Sequence, residues 1–357
     1  MSQFNTTIND VFKSTALGDY KSSISSVLYG INHRQTPNAV PSNRDGYGLT
    51  FITRPQLNLT TGNLRALRRF IPLLTTAETS IPRMVRNMLD PRLDLPCPLM
   101  DNKCAFIPLL TNHMLSCSGF PDPFVEEHSS KPGVYKEVFS MVDSTVDIYS
   151  AYDISTTFRN MVGDPISLLF DTWVQYTAGV YRGELTPYPD FIATNEIDYN
   201  TRIYRLVLDR TKRFVQKIAC TGASFPKSVP LGAAFNFEHD HPINPSNDQI
   251  PIQFKSNGFC YQDPIIVYEF NKVVAIFNPD MADDGSNNPP YLSRMIPLYP
   301  SELHLFNNRG YPRINPDTME LQWYVYPDEY DTILSAFGRN ITALGGSLVQ
   351  DNQTPGE

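Results

Sequence analysis

The side chains best able to do chemistry are few and poorly assembled. Glu238-His239-Asp240-His241 is the densest run of metal-capable groups. In an extended segment His239 and His241 share one side, so they could converge on a metal for hydrolysis, with Glu238 and Asp240 turned away. A site needs further ligands, and the alternative is an exposed loop entering Pro242 and the PSND turn. Cys97, Cys104, His113 and Cys117 could also meet a zinc ion, but their spacing lacks the close Cys-x-x-Cys knuckle. Buried free thiols are the simpler expectation. Neither a phosphate-binding glycine loop, a Gly-x-Ser-x-Gly elbow nor a zinc-protease helix is present. No nucleophile stands beside its base, so no catalytic residue, cofactor or metal is assigned.

The remaining charged clusters suit contacts better than reactions. Arg202, Arg205, Arg210, Lys212 and Arg213 bracket a predicted hairpin, and Asp280, Asp283 and Asp284 sit in a Gly/Asn-rich loop. The basic hairpin of one copy is expected to meet the acidic loop of the next. Arg65, Arg68, Arg69, Arg83 and Arg86 crowd two short helices, either as solvated faces or as an interface with an acidic partner.

Composition agrees with a non-catalytic reading. The 357 residues carry a net charge of −8, which argues against unspecific nucleic-acid binding through neutralised phosphates. Hydrophobic residues reach 41%, enough for a sizeable core, while charged residues are only 18% and 30 prolines punctuate the chain. Nineteen tyrosines and 21 phenylalanines fit sheet packing and oligomer contacts alike. No apolar run nears the roughly 20 residues that cross a bilayer. The polar opening MSQFNTTINDVFKS is not a signal peptide, and the five scattered cysteines suggest synthesis in a reducing cytoplasm.

The elements that would carry these residues are mainly strands. Tyr47–Thr53 reads as a first strand stopped by Pro55. Asn63 is expected to cap a helix through NLRALRRFIPLL, and Ile81-Pro82 to open another. Residues 90–133 look irregular. From Val134 the pattern changes to period two, a strand or two strands with a bend, with Val146, Ile148, Tyr152, Ile154 and Phe158 on the core face and Thr145, Asp147, Asp153 and Ser155 opposite. Asp164-Pro165 starts a helix with Ile166, Leu169, Phe170, Trp173 and Val180 on one side. Arg202–Leu208 and Phe214–Cys220 form a hairpin, Gln249–Asn257 alternates, and Asp263-Pro264 starts another helix. A last hairpin places Met319, Leu321, Trp323 and Val325 on one face. The expected class is α+β, mainly β: antiparallel sheets forming a barrel or sandwich packed by one or two helices.

Several phrases resemble structural proteins of tailed bacteriophages with the tail-tube fold. They are YGLTFITRP, GDPISLLFDTWVQY, IDYNTRIYRLVLD, TGASFPKSVPLGAAFNF and IPIQF, spread over residues 44–60 and 134–280. The polar composition makes residues 1–43 an expected arm and 346–357 a flexible tail, while the likeness implies a tube domain at 44–62 and 132–345 with an insertion with short helices at 63–131. It further implies a hexameric ring in the virion tail of a large contractile-tailed phage. Such rings stack around a channel that DNA crosses without specific binding, and they contact sheath or baseplate proteins. The extra arm and insertion suit a ring at a tube end, such as a tube initiator, or a neck or terminator component. Asp147 and Asp153 are the expected lumen residues, where like charge would keep DNA from sticking.

Overall fold

The computed structural model describes residues 45–134, 136, 138, 140–146, 148–235, 248–286, 288–306 and 310–343. Six antiparallel strands form the main sheet: β1 (Asp45–Ile52), β2 (Met114–Ser118), β5 (Ala151–Arg159), β6 (Ile203–Asp209), β7 (Val215–Ser228) and β8 (Gln249–Tyr261), in the order β1-β6-β7-β8-β5-β2. Strands β3 (Glu127–Ser129) and β4 (Ser140–Val142) make a separate exposed ribbon. A smaller sheet joins β9 (Ile296–Pro297), β10 (Tyr311–Ile314) and β11 (Leu321–Val325).

The six-stranded sheet curls into a nearly closed barrel. Its two edges are brought together by residues 105–118. Beyond the end of β1, Arg54 N donates to Ala105 O at 3.0 Å, Ile107 N donates to Ile52 O at 2.9 Å, and Thr53 bridges Phe106. The chain then runs through helix α3 (Pro108–His113) directly into β2 on the opposite edge. Residues 63–131, expected as an insertion, thus supply an edge strand and the segment that joins the edges. These bonds satisfy backbone groups at the end of β1, while β1 and β2 stay the two edge strands of the sheet.

Side-chain alternation builds two cores from one sheet. Ile52 and Ile203 point into the barrel with Ile154, Phe158, Ile252 and Phe254, whereas their neighbours Phe51 and Tyr204 point outward with Leu206, Leu208 and Ile218. The inner core is filled by helix α4 (Pro165–Tyr181), through buried Ile166, Leu169, Phe170, Trp173 and Tyr176. After the short helix α5 (Pro189–Thr194), helix α6 (Pro264–Phe277) covers the outer core with Ile266, Val267, Phe270 and Val274.

The long β7–β8 ladder changes sides between these cores. Cys220 belongs to the outer core, yet Pro226, six residues on, pairs with the inner Phe254. The crossover lies at Gly222 and Gly258. Gly258 has φ +72°, and a Cβ on Gly222 would meet Asn257 O at 2.4 Å. Ser224 Oγ reaches Thr221 Oγ1 at 2.9 Å, a contact that strict alternation would forbid.

Four local expectations differ. The helix expected from Asn63 is instead α1 (Thr61–Ala66) followed by a 3₁₀ turn at Arg68–Leu74. Pro72 cannot continue an α-helix because its ring meets the carbonyl four residues back. Asn63 does not cap; its amide donates to Asn58 O and Thr186 O. Val146 and Ile148 stay substantially exposed, because β5 begins only at Ala151. Arg86 of helix α2 (Ile81–Leu89), read as one of two possible surface roles, is buried and donates to Leu59 O at 3.0 Å.

Candidate assembly surfaces

The turn between β6 and β7 is organised by Asp209. Its carboxylate accepts from Thr211 Oγ1 at 2.6 Å, Arg213 N at 3.1 Å and Phe214 N at 3.2 Å. Burial opposes the charged form, but these hydrogen bonds prevail and hold the carboxyl below its ordinary range. The five basic residues around this hairpin do not make one patch. Arg202 pairs with Glu269 of α6, and Arg213 pairs with Glu320. Arg205 turns inward and donates to Thr50 Oγ1 at 2.8 Å, where Gly48 leaves room for its guanidinium. Arg210 and Lys212 remain exposed at the tip, with the Lys212 ammonium 4.4 Å from the Tyr47 ring centroid.

The acidic loop is also largely occupied within the chain. Asp280 accepts from Arg294 at 2.6 Å and from Tyr326 Oη at 2.9 Å, and Lys103 lies 3.7 Å away. The Arg294 and Tyr326 hydrogen bonds lead in holding its pKa below the usual carboxylate value. Asp283 pairs at 2.6 Å with Arg313, a nearly buried guanidinium lying 3.7 Å from the Tyr291 ring centroid. Asp284 instead accepts from Ser286 N at 3.0 Å, in a turn of its own loop. These acids therefore brace the β10–β11 side of the molecule.

On β5 and β8 one face is core and the other is open and polar. Across the ladder Asp153 stands opposite Lys255, Ser155 opposite Gln253, and Arg159 opposite Gln249. Asp153 lies 3.4 Å from Lys255 Nζ, so this open face is a mixed-charge surface. Asp147 lies outside the described residues, as do His239 and His241. Cys97 and Cys104 line a cleft beside Tyr311 and Tyr326, while Cys117 faces the barrel interior near Thr50 and Arg205.

A second exposed surface had no signal in the sequence reading. Along α6, Ile265, Tyr268 and Ile276 fall on one stripe and are 57%, 66% and 62% exposed. Lys272 falls within this stripe between Tyr268 and Ile276, and Glu269 lies beside Ile265, so the exposed face mixes apolar and charged groups. A period-3.6 count of α6 against its inner stripe could have found it.

Arg54, beside the Pro55 that stops the first strand, carries no local sequence signal for its role. It is buried and donates to Met88 O at 3.1 Å, Asn87 O, Asn102 O at 2.8 Å and Cys104 O at 3.1 Å. Burial pulls its pKa down to about 10, leaving it charged at neutral pH. One guanidinium thereby fixes α2 and the edge-joining segment to the end of β1.

This sheet, helix-filled on one face and open and polar on the other along β5 and β8, accompanies a family match over residues 2–339, to the family described as "Putative phage tail tube protein". The chain belongs to this phage tail tube family. It is a structural protein of the virion tail. No curated protein matches the chain. Solved structures similar to parts of it include the anti-feeding prophage cap (AFP tube terminating cap), at 13% identity, TM-score 0.28, covering 44% of this chain and 82% of that one. Another is the sheath/tube terminator of the extracellular contractile injection system PVC in its extended state, at 13% identity, TM-score 0.25, covering 44% and 88%. A third is the PVC sheath-tube complex in its extended state, at 15% identity, TM-score 0.25, covering 44% and 82%.

Proposed function

We propose that this tail protein assembles into a hexameric ring of the tube and that its open β5–β8 face lines the channel for DNA. The observation that carries the reading is the two-sided ladder itself. Ile154, Thr156, Phe158, Ile252 and Phe254 are buried on one side, while Asp153, Ser155, Arg159, Gln249 and Gln253 are exposed on the other. A sheet buried on one side and polar on the other suits a wall between protein and water. Asp153 and Lys255 offset one another, so the wall would pass a polyanion with little net attraction.

Exposed Ile265, Tyr268 and Ile276 of α6 lie on the outer core side, interrupted by Lys272, and supply a surface that neighbouring subunits would cover. The tip pair Arg210 and Lys212 would meet the neighbour's acidic loop through Asp284, the member with no cation partner among the described residues. Stacked rings would contact sheath or baseplate proteins, and the role needs no catalysis. Negative-stain imaging of the purified full chain tests the reading. Sixfold rings or stacked tubes are expected; a monodisperse monomer at concentrations where tail proteins assemble would contradict it.

A further inference from the structure

The fold brings two of the five cysteines face to face. Cys220 on β7 and Cys260 on β8 are directly opposite in the antiparallel register. Directly opposed residues have Cα atoms about 4.5–5.5 Å apart, inside the roughly 4.4–6.8 Å window that a disulfide spans. Their side chains also leave the ladder on the same side. Both line one cavity of about 320 Å³, beneath Ile148, Ile265 and Glu269, so a small reagent can reach them. Both are free thiols, Cys220 buried and Cys260 half-buried.

We infer that Cys220 and Cys260 are a latent cross-strand disulfide, closed when the assembled tail leaves a reducing cytoplasm for an oxidising medium. The co-reactant is a small disulfide such as oxidised glutathione. The Cys260 thiolate, the more accessible, attacks one sulfur of that disulfide and expels one thiolate. The Cys220 thiolate then attacks Cys260 Sγ in the mixed disulfide and expels the second. The two cysteines lose two electrons and two protons, and the small disulfide is reduced to two thiols. Nothing else in the chain is consumed.

The surroundings make the exchange slow rather than spontaneous. Burial pushes the Cys220 thiol up to about 12, opposed by Arg202, and burial also raises Cys260, with Asp263 adding to it. Glu269 of α6 and Tyr204 of β6 are the other ionisable groups against the pair. Thiolate is scarce at neutral pH, so oxidation accelerates with alkalinity. The bond would tie the ladder beside Gly222 and Gly258, where it changes sides and lacks side chains to pack.

The full chain, incubated with oxidised glutathione at about pH 9 and then alkylated, tests this. The expected result is loss of two of the five thiols, a mass lower by about 2 Da before alkylation, and a Cys220–Cys260 peptide that dithiothreitol reverses. Cys260→Ser, at the more accessible position, is expected to form no internal disulfide and to keep Cys220 alkylatable. Cys117→Ser is expected to leave the linkage intact. Five thiols surviving oxidation, a linkage through Cys97, Cys104 or Cys117, or a disulfide-joined dimer would each overturn the inference.

Discussion

Helices α4 and α6 begin with the same three residues, Asp-Pro-Ile, and end up on opposite sides of one sheet. Asp263 opens α6 from an extended backbone and accepts from Ile265 N at 3.0 Å. Asp164 opens α4 from a left-handed backbone at φ +49°, makes no capping bond, and accepts instead from Asn160. Inside the barrel α4 buries Ile166, Leu169, Phe170, Trp173 and Tyr176, while α6 leaves Ile265, Tyr268 and Ile276 in the open. The difference teaches that α4 buries its apolar face inside the fold of one chain, whereas α6 leaves part of its own exposed.

The strongest attempt to break this contrast is Trp173→Ala. Its indole stacks on Phe170, lies edge-on to Phe254, and donates to Tyr199 O at 2.9 Å. A loss of about 3–5 kcal/mol in urea unfolding is expected. If the variant unfolds like the parent, α4 is not the plug described above.

Asp263→Ala should cost about 1 kcal/mol through the lost cap. Asp164→Gly should instead cost nothing or gain up to about 1 kcal/mol, since a glycine accepts the left-handed backbone without strain. Equal losses at the two positions, measured by the same denaturant midpoints, would erase the distinction drawn between the two helix starts.

The polar end of α4 predicts a pH dependence. Tyr176 Oη donates to Asp198, and burial is the leading cause that raises the Asp198 pKa above its ordinary value. A folded pKa above the unfolded one means the proton is held more tightly in the native state. The associated stability is complete below the unfolded value and is lost as pH rises through the folded one. Asp198→Asn should therefore compare least favourably with the parent in acid, and the gap should narrow as pH rises. A gap that widens with pH would reverse the sign of this argument.

The smallest effect on monomer stability belongs to the exposed helix. Tyr268→Asp should shift unfolding by no more than about 0.5 kcal/mol, because a surface site loses little on substitution. In contrast, it should abolish rings in negative stain. The double change Arg210→Glu and Lys212→Glu should leave stability similarly unaltered and weaken assembly in a salt-dependent way. Rings of normal yield in both would place the contacts between copies elsewhere.

Much of the local structure was legible because short-range rules govern it. Asp-Pro marked the starts of α4 and α6 but not the helix Pro327–Ala343, alternation marked β5 and β8, and the phrases around α4 and β7 carried the family. The basic and acidic clusters were less legible. Composition shows that Arg213 and Asp280 are charged, but not that Glu320 and Arg294 wait for them within the same chain.

By itself the sequence determined where β5, β8, α4 and α6 form, since periodicity and proline chemistry act over a few residues, but not α3, β2 or the helix Pro327–Ala343. Only the tertiary structure decided that α4 lies inside and α6 outside, that residues 105–118 join the sheet edges, and that Cys220 meets Cys260. Those outcomes depend on register between strands far apart in the chain. A one-residue slip would turn every side chain of a strand to its other face, and no local pattern records which register won.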